Sequence, residues 1–160
     1  MFNLFKSKGM KINTPVDGRV FNLKEVSDPV FSEKMMGDGF AVEPKNGKIC
    51  APVKGTIKSL FPTLHALTME AENGVDILIH IGLDTVELNG EGFSTVVQEG
   101  QKINLGDPLI HVDLNFLANK KKENSVMVVF PEMKDKELTV YVGEKQVGEV
   151  AALCQIGLIE

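Results

Sequence analysis

Apolar and polar residues alternate along most of this chain in short runs, and glycine or proline interrupts nearly every run. Period-two alternation between turn residues predicts short strands rather than helices. Strands are expected over residues 40–44, 48–51, 55–61, 67–71, 126–130, 138–142 and 147–153. Residues 75–81 carry the strongest signal, Val-Asp-Ile-Leu-Ile-His-Ile, nearly continuous and β-branched. Helix signals are few. Asp113 is placed to cap a short helix with Leu114 and Leu117 on one face, and Lys120, Lys121 and Lys122 suit its C-terminal dipole. Residues 32–36 admit one further helical turn, stopped by Gly37-Asp38-Gly39.

Two phrases recur. Thr14-Pro15-Val16-Asp17-Gly18-Arg19-Val20 matches Ala51-Pro52-Val53-Lys54-Gly55-Thr56-Ile57, with Pro15 aligned to Pro52 and Gly18 to Gly55. Each reads as a strand entered by proline and bent at glycine. Glu99-Gly100-Gln101-Lys102-Ile103-Asn104-Leu105-Gly106-Asp107 resembles Val142-Gly143-Glu144-Lys145-Gln146-Val147-Gly148-Glu149, although the glycine spacings differ by one residue. Convergent turn chemistry is one explanation. A duplicated β unit is the other, and it sets the expectation: an all-β chain, folded as an antiparallel β-sandwich or barrel-like body with a duplicated strand motif and one or two very short helices.

Composition narrows the function. A chain of 160 residues suits one domain spanning residues 1–160, with residues 1–10 as a short tail. Net charge is −5, and Arg19 is the only arginine, so a basic nucleic-acid face is not expected. No apolar run approaches the roughly 18 residues of a membrane span, and Met1–Lys8 is too polar for a signal peptide. Insertion into a membrane is therefore not expected, and a cytoplasmic location is. Cys50 and Cys154 stand apart with no CxxC spacing, which suggests reduced, buried thiols. Imidazole chemistry must come from His65, His80 or His111, the three histidines present.

On a strand over 75–81, Val75, Ile77, Ile79 and Ile81 share one face and Asp76, Leu78 and His80 the other. The first face belongs to a core, so His80 should point outward beside Leu78. The turn Gly82-Leu83-Asp84 follows at once. A carbonyl in that turn can accept Nδ1–H and leave Nε2 as a nucleophile. A surface histidine without a role fits the strand equally well. His65 follows Phe61-Pro62-Thr63-Leu64, and the turn Glu72-Asn73-Gly74 lies midway to His80. Pairing around that turn would set the two histidines nearly opposite each other, with Thr63 able to hold the second ring. His111, inside the apolar run Leu109-Ile110-His111-Val112, reads as a satisfied structural histidine.

Three functional classes compete on these residues. Phosphoryl transfer through a phosphohistidine uses the histidine pair. A zinc peptidase could use His80-Ile81-Gly82-Leu83-Asp84, but catalytic zinc needs three protein ligands and no H-x-H or H-E-x-x-H occurs. A lipoyl- or biotin-type carrier domain could use Lys134 in Glu132-Met133-Lys134, though an exposed turn lysine explains it as well.

Longer stretches decide among them. Met35-Met36-Gly37-Asp38-Gly39-Phe40-Ala41-Val42-Glu43-Pro44, Phe61-Pro62-Thr63-Leu64-His65-Ala66, Leu78-Ile79-His80-Ile81-Gly82-Leu83-Asp84-Thr85-Val86-Glu87-Leu88 and Gly90-Glu91-Gly92-Phe93 follow one pattern. Over roughly residues 10–153 the chain resembles the glucose-type enzyme IIA of the bacterial phosphoenolpyruvate-dependent sugar phosphotransferase system. The resemblance implies an antiparallel β-sandwich without a cofactor or resident metal. It implies that His80 is the phosphoacceptor and His65 its supporting neighbour. Thr63 would orient His65, the Gly82 carbonyl would hold His80 Nδ1, and Asp84 would lie at the rim. The donor would be the histidine-containing phosphocarrier protein. The acceptor would be a cysteine on the IIB domain of a membrane sugar transporter, absent from this sequence. Regulatory protein partners occur in parts of the family.

Overall fold

Alternation becomes strand at nearly every place where the sequence carries it. The computed structural model describes residues 8–132 and 137–156. Its strands in the first half are β1 (Lys8–Asn13), β2 (Gly18–Asn22), β3 (Asp38–Pro44), β4 (Lys48–Cys50), β5 (Gly55–Leu60), β6 (Ala66–Ala71) and β7 (Asp76–Ile81). The second half supplies β8 (Phe93–Thr95), β9 (Lys102–Ile103), β10 (Pro108–Val112), β11 (Val126–Phe130), β12 (Glu137–Val140), β13 (Gly143–Lys145) and β14 (Val150–Ile156). Two short helices, α1 (Pro29–Ser32) and α2 (Leu114–Asn119), complete the set with 3₁₀ turns at Leu23–Glu25 and Thr85–Leu88.

An eight-stranded sheet runs β13-β2-β3-β11-β7-β6-β5-β9. Two three-stranded sheets, β4-β10-β8 and β1-β14-β12, lie against its inner face. The strand pairs are antiparallel, and one apolar cluster joins Ile12, Ile49, Leu109 and Ala151 to Val42, Leu67, Ile77, Ile79 and Ile81. This is the expected antiparallel sandwich. Ile77, Ile79 and Ile81 are fully buried, and each such burial contributes about 1.5–3 kcal/mol. They anchor the strand that carries His80.

The duplication extends to individual hydrogen bonds. Gly18 and Gly55 open β2 and β5, and a Cβ on either would lie 2.1 Å from a carbonyl oxygen, that of Glu43 or of Glu70. Only glycine permits that approach. The two Pro-Val phrases exchange bonds reciprocally: Asn13 N–H donates to Pro52 O at 2.9 Å and Cys50 N–H to Pro15 O at 2.7 Å. The second repeated phrase partners the first. Thr14 N–H donates to Glu149 O at 3.0 Å, as Ala51 N–H does to Asp107 O at 2.8 Å. The side chains of Asp107 and Glu149 then accept from the amides of Asn104 and Gln146. The sheet order is accordingly palindromic, with β11 and β7 paired at its centre.

Several expectations change. β1 begins at Lys8, so residues 8–10 of the expected tail belong to a strand. The outer face of the large sheet is not open around Leu78. A second cluster of Phe21, Leu23, Val26, Phe31, Leu78, Leu83, Met127 and Val129 covers it, and Leu78 is 5% exposed. His111 lies exposed within its apolar run. An irregularity in β10 opposite Ile49 turns Leu109 and Ile110 both inward, and the alternation restarts with His111 outside. The early helical turn sits at Pro29–Ser32, upstream of 32–36. There the Asp28 side chain caps the Val30 amide and Pro29 stands at the first helical position. Asp113 caps α2 as expected, accepting from Phe116 N–H.

Candidate functional site

The β7 ladder closes with Ile81 N–H donating to His65 O at 2.7 Å. His80, one residue earlier, emerges half-buried on the outer face. The chain then turns. Gly82 has φ +76° and Asp84 φ +58°, a tight reversal in the left-handed region. Gly82 N–H donates to Ser125 O at 2.7 Å and Leu83 N–H to Glu123 O at 3.1 Å. The carbonyl of Gly82 is left facing His80, 2.9 Å from Nδ1. A carbonyl only accepts, so Nδ1 carries the ring proton and the Nε2 lone pair is available.

His65 arrives from the tip of the β5–β6 hairpin. The register pairs Ala66, not His65, with His80. A regular strand would therefore aim His65 at the core. Leu64 breaks the alternation with φ +58°, and strand pairing resumes only at Ala66. The His65 ring thus reaches the outer face beside His80, with centroids 5.0 Å apart and planes at 83°. Thr63 Oγ1 lies 2.6 Å from His65 Nδ1. With the hydroxyl donating, the His65 proton sits on Nε2, the edge away from Thr63.

Two aromatic rings complete the walls. Phe31 stands 4.9 Å from His80, and Phe61 meets His65 edge-on at 5.4 Å. Val30, Phe61 and Val86 are exposed around them, forming an apolar rim. Of the five residues expected at a site, the structure joins His80 to Gly82 and His65 to Thr63 and brings the two rings together. Asp84 is exposed, at the mouth of the turn. Phe31 and the strap through Glu123 and Ser125 come from distant sequence with no local signal. Among the described residues, no group of three or more His, Cys, Asp or Glu side chains could hold a metal ion. Met133 and Lys134, the basis of the carrier-lysine alternative, lie outside the described residues.

Burial pushes the His80 imidazole down to about 4, with His65 adding repulsion and the Gly82 carbonyl partly opposing. Burial lowers His65 as well. Both rings are neutral near pH 7, as a nucleophile and a neutral donor require. The unfolded chain titrates these histidines near pH 6.5. Folded stability is therefore complete above that value and declines as pH falls toward the folded value, because the unfolded state binds the proton first. His80 alone accounts for a loss of order ~3 kcal/mol by pH 4. Urea midpoints between pH 7 and 4.5 should fall more steeply for the native protein than for His80→Gln. Parallel curves would assign the dependence elsewhere.

Residues 10–136 match the family profile described as phosphoenolpyruvate-dependent sugar phosphotransferase system, EIIA 1. The chain belongs to this family. A glucose-specific EIIA component of Mycoplasma capricolum is 43% identical over 150 residues, which cover 93% of this chain and 97% of that protein. A glucose-specific EIICBA component of Streptococcus pneumoniae is 50% identical over 126 residues, 79% of this chain but 17% of that longer protein. The solved structure of glucose permease IIA from Mycoplasma capricolum superposes with a TM-score of 0.86 at 44% identity, covering 91% of this chain and 96% of that one. Membership of the EIIA family makes the chain a phosphocarrier component of sugar phosphotransfer. No helix among the described residues is long and apolar enough to cross a membrane.

Proposed function

We propose that this EIIA chain acts as one phosphocarrier domain that takes a phosphoryl group onto Nε2 of His80 and passes it on. The donor is the phosphohistidine of the histidine-containing phosphocarrier protein. The acceptor is the cysteine of a IIB domain serving a membrane sugar transporter, on the cytoplasmic side, with glucose the sugar for which the relatives are named. The observation that carries this reading is the 2.9 Å contact between His80 Nδ1 and the Gly82 carbonyl, which sets Nε2 as the nucleophile.

The chemistry balances without a cofactor. On loading, the donor's P–N bond breaks as the His80 Nε2–P bond forms, and the donor leaves with its imidazole. On unloading, a IIB thiolate attacks phosphorus and the Nε2–P bond breaks. Such a transfer asks the protein mainly for in-line positioning and charge stabilisation. His65 Nε2–H, oriented by Thr63, supplies a donor to the phosphoryl oxygens. The apolar rim docks each partner in turn and keeps water from the phosphoryl group. Acidic side chains near the site, Asp38, Asp84, Glu87 and Glu91, can steer a basic partner surface. Lys34 pairs with Asp38 and Lys122 with Glu87, so steering falls chiefly to Asp84 and Glu91.

Incubation with phosphoenolpyruvate and the two general phosphotransfer proteins should place an acid-labile phosphate on His80, N-linked through Nε2. Phosphate on any other residue, or through Nδ1, overturns the assignment.

A further inference from the structure

We propose that Thr85 is a positioning residue for His80, acting through the Gly82 peptide. Its kinetic consequence rests on the phosphocarrier reading above; its effect on the His80 ring does not. Thr85 is completely buried, and its hydroxyl donates to Ile81 O at 2.5 Å. It sits beyond the turn it stabilises, at the start of the 3₁₀ turn Thr85–Leu88.

The turn between Ile81 and Thr85 is held at three peptide positions next to His80. The Gly82 and Leu83 amides go to Ser125 O and Glu123 O. The Ile81 carbonyl goes to Thr85. A Cβ on Gly82 would stand 2.5 Å from Thr85 Cγ2, so the threonine methyl also closes the space over the Gly82 backbone. Thr85 and Ser125 hold the Ile81–Gly82 peptide from its two ends and Glu123 O holds the next peptide through the Leu83 amide, so the Gly82 carbonyl between them keeps one orientation, toward Nδ1 of His80. Thr85 touches neither histidine in this chain of contacts. It governs which ring nitrogen of His80 bears the proton, and so which one is nucleophilic.

Threonine offers two separable handles. Thr85→Val keeps the shape and removes the donor, whereas Thr85→Ser keeps the donor and removes the methyl. The first readout is ¹⁵N NMR of the His80 ring in the unphosphorylated protein at pH 7. The native protein should show Nδ1–H alone. Thr85→Val should show a mixture of tautomers, and Thr85→Ser should restore the native pattern. The second readout is the rate of labelling by phosphorylated carrier protein. Thr85→Val should slow it about tenfold or more, the scale of small misplacements of a reacting atom, while Thr85→Ser stays near native. A folded Thr85→Val protein with the native tautomer and rate overturns the proposal, as does a Thr85→Ser protein with mixed tautomers, which decides the matter even if the valine variant does not fold. A tautomer shift in a protein labelled elsewhere than His80 would uphold the positioning role and refute the phosphoacceptor assignment.

Discussion

His80→Ala is expected to take up no phosphoryl group from phosphorylated carrier protein, at any concentration that labels the native chain to completion. The effect is all-or-none because the site has one suitably presented lone pair. His65, the neighbouring imidazole, is tied at Nδ1 to Thr63 and is buried to 6% exposure. His111 lies exposed on β10, in a different sheet from β7. Neither can substitute without rebuilding its surroundings. The fold should survive, since Ile77, Ile79 and Ile81 hold β7 from the opposite face. An unchanged unfolding midpoint at pH 7 together with absent label assigns the acceptor to His80. Persistent label would move it elsewhere.

The contact between His80 and the Gly82 carbonyl was legible in the sequence, and the reason is local. His80 and Gly82 are two residues apart, and the strand-then-turn pattern places a carbonyl beside the ring with no long-range information. The strand at Val126–Phe130 was bounded correctly because all five residues are apolar and buried. Likewise, the repeated Pro-Val-x-Gly phrases mark two equivalent places where backbone approaches backbone too closely for a Cβ. Features that depend on a break in regularity were not legible. The reversal of His65 onto the His80 face needs Leu64 at φ +58°, a conformation that a leucine does not advertise. The exposure of His111 follows from a register irregularity. The two-residue β9 has too little sequence to show a period, and it exists because β5 offers it an edge. Phe31 reaches His80 across a long stretch of intervening chain, through a covering segment that only the second apolar cluster explains.

His65→Gln should separate the two half-reactions. Loading depends on the His80 lone pair, which the Gly82 carbonyl sets without help from His65. Glutamine also retains an amide donor near the incoming phosphoryl oxygens. Label should therefore still appear on His80. Unloading makes a stricter demand. The phosphoryl group must leave His80 for a thiolate, and its oxygens need a donor held at a fixed place as charge redistributes. In the native chain that donor is a rigid ring, clamped by Thr63 on one edge and Phe61 on another. A flexible amide has no ring to pack against Phe61 and is not fixed in one orientation. Loss of one preorganised donor costs about 10²–10³ in rate, and chase of label from His80 onto a IIB domain should slow by at least that range. Rapid-quench measurement of both steps on one preparation checks the separation. Equal loss in loading and unloading would show that His65 serves acceptance as well. Equal retention would reduce it to a wall of the pocket.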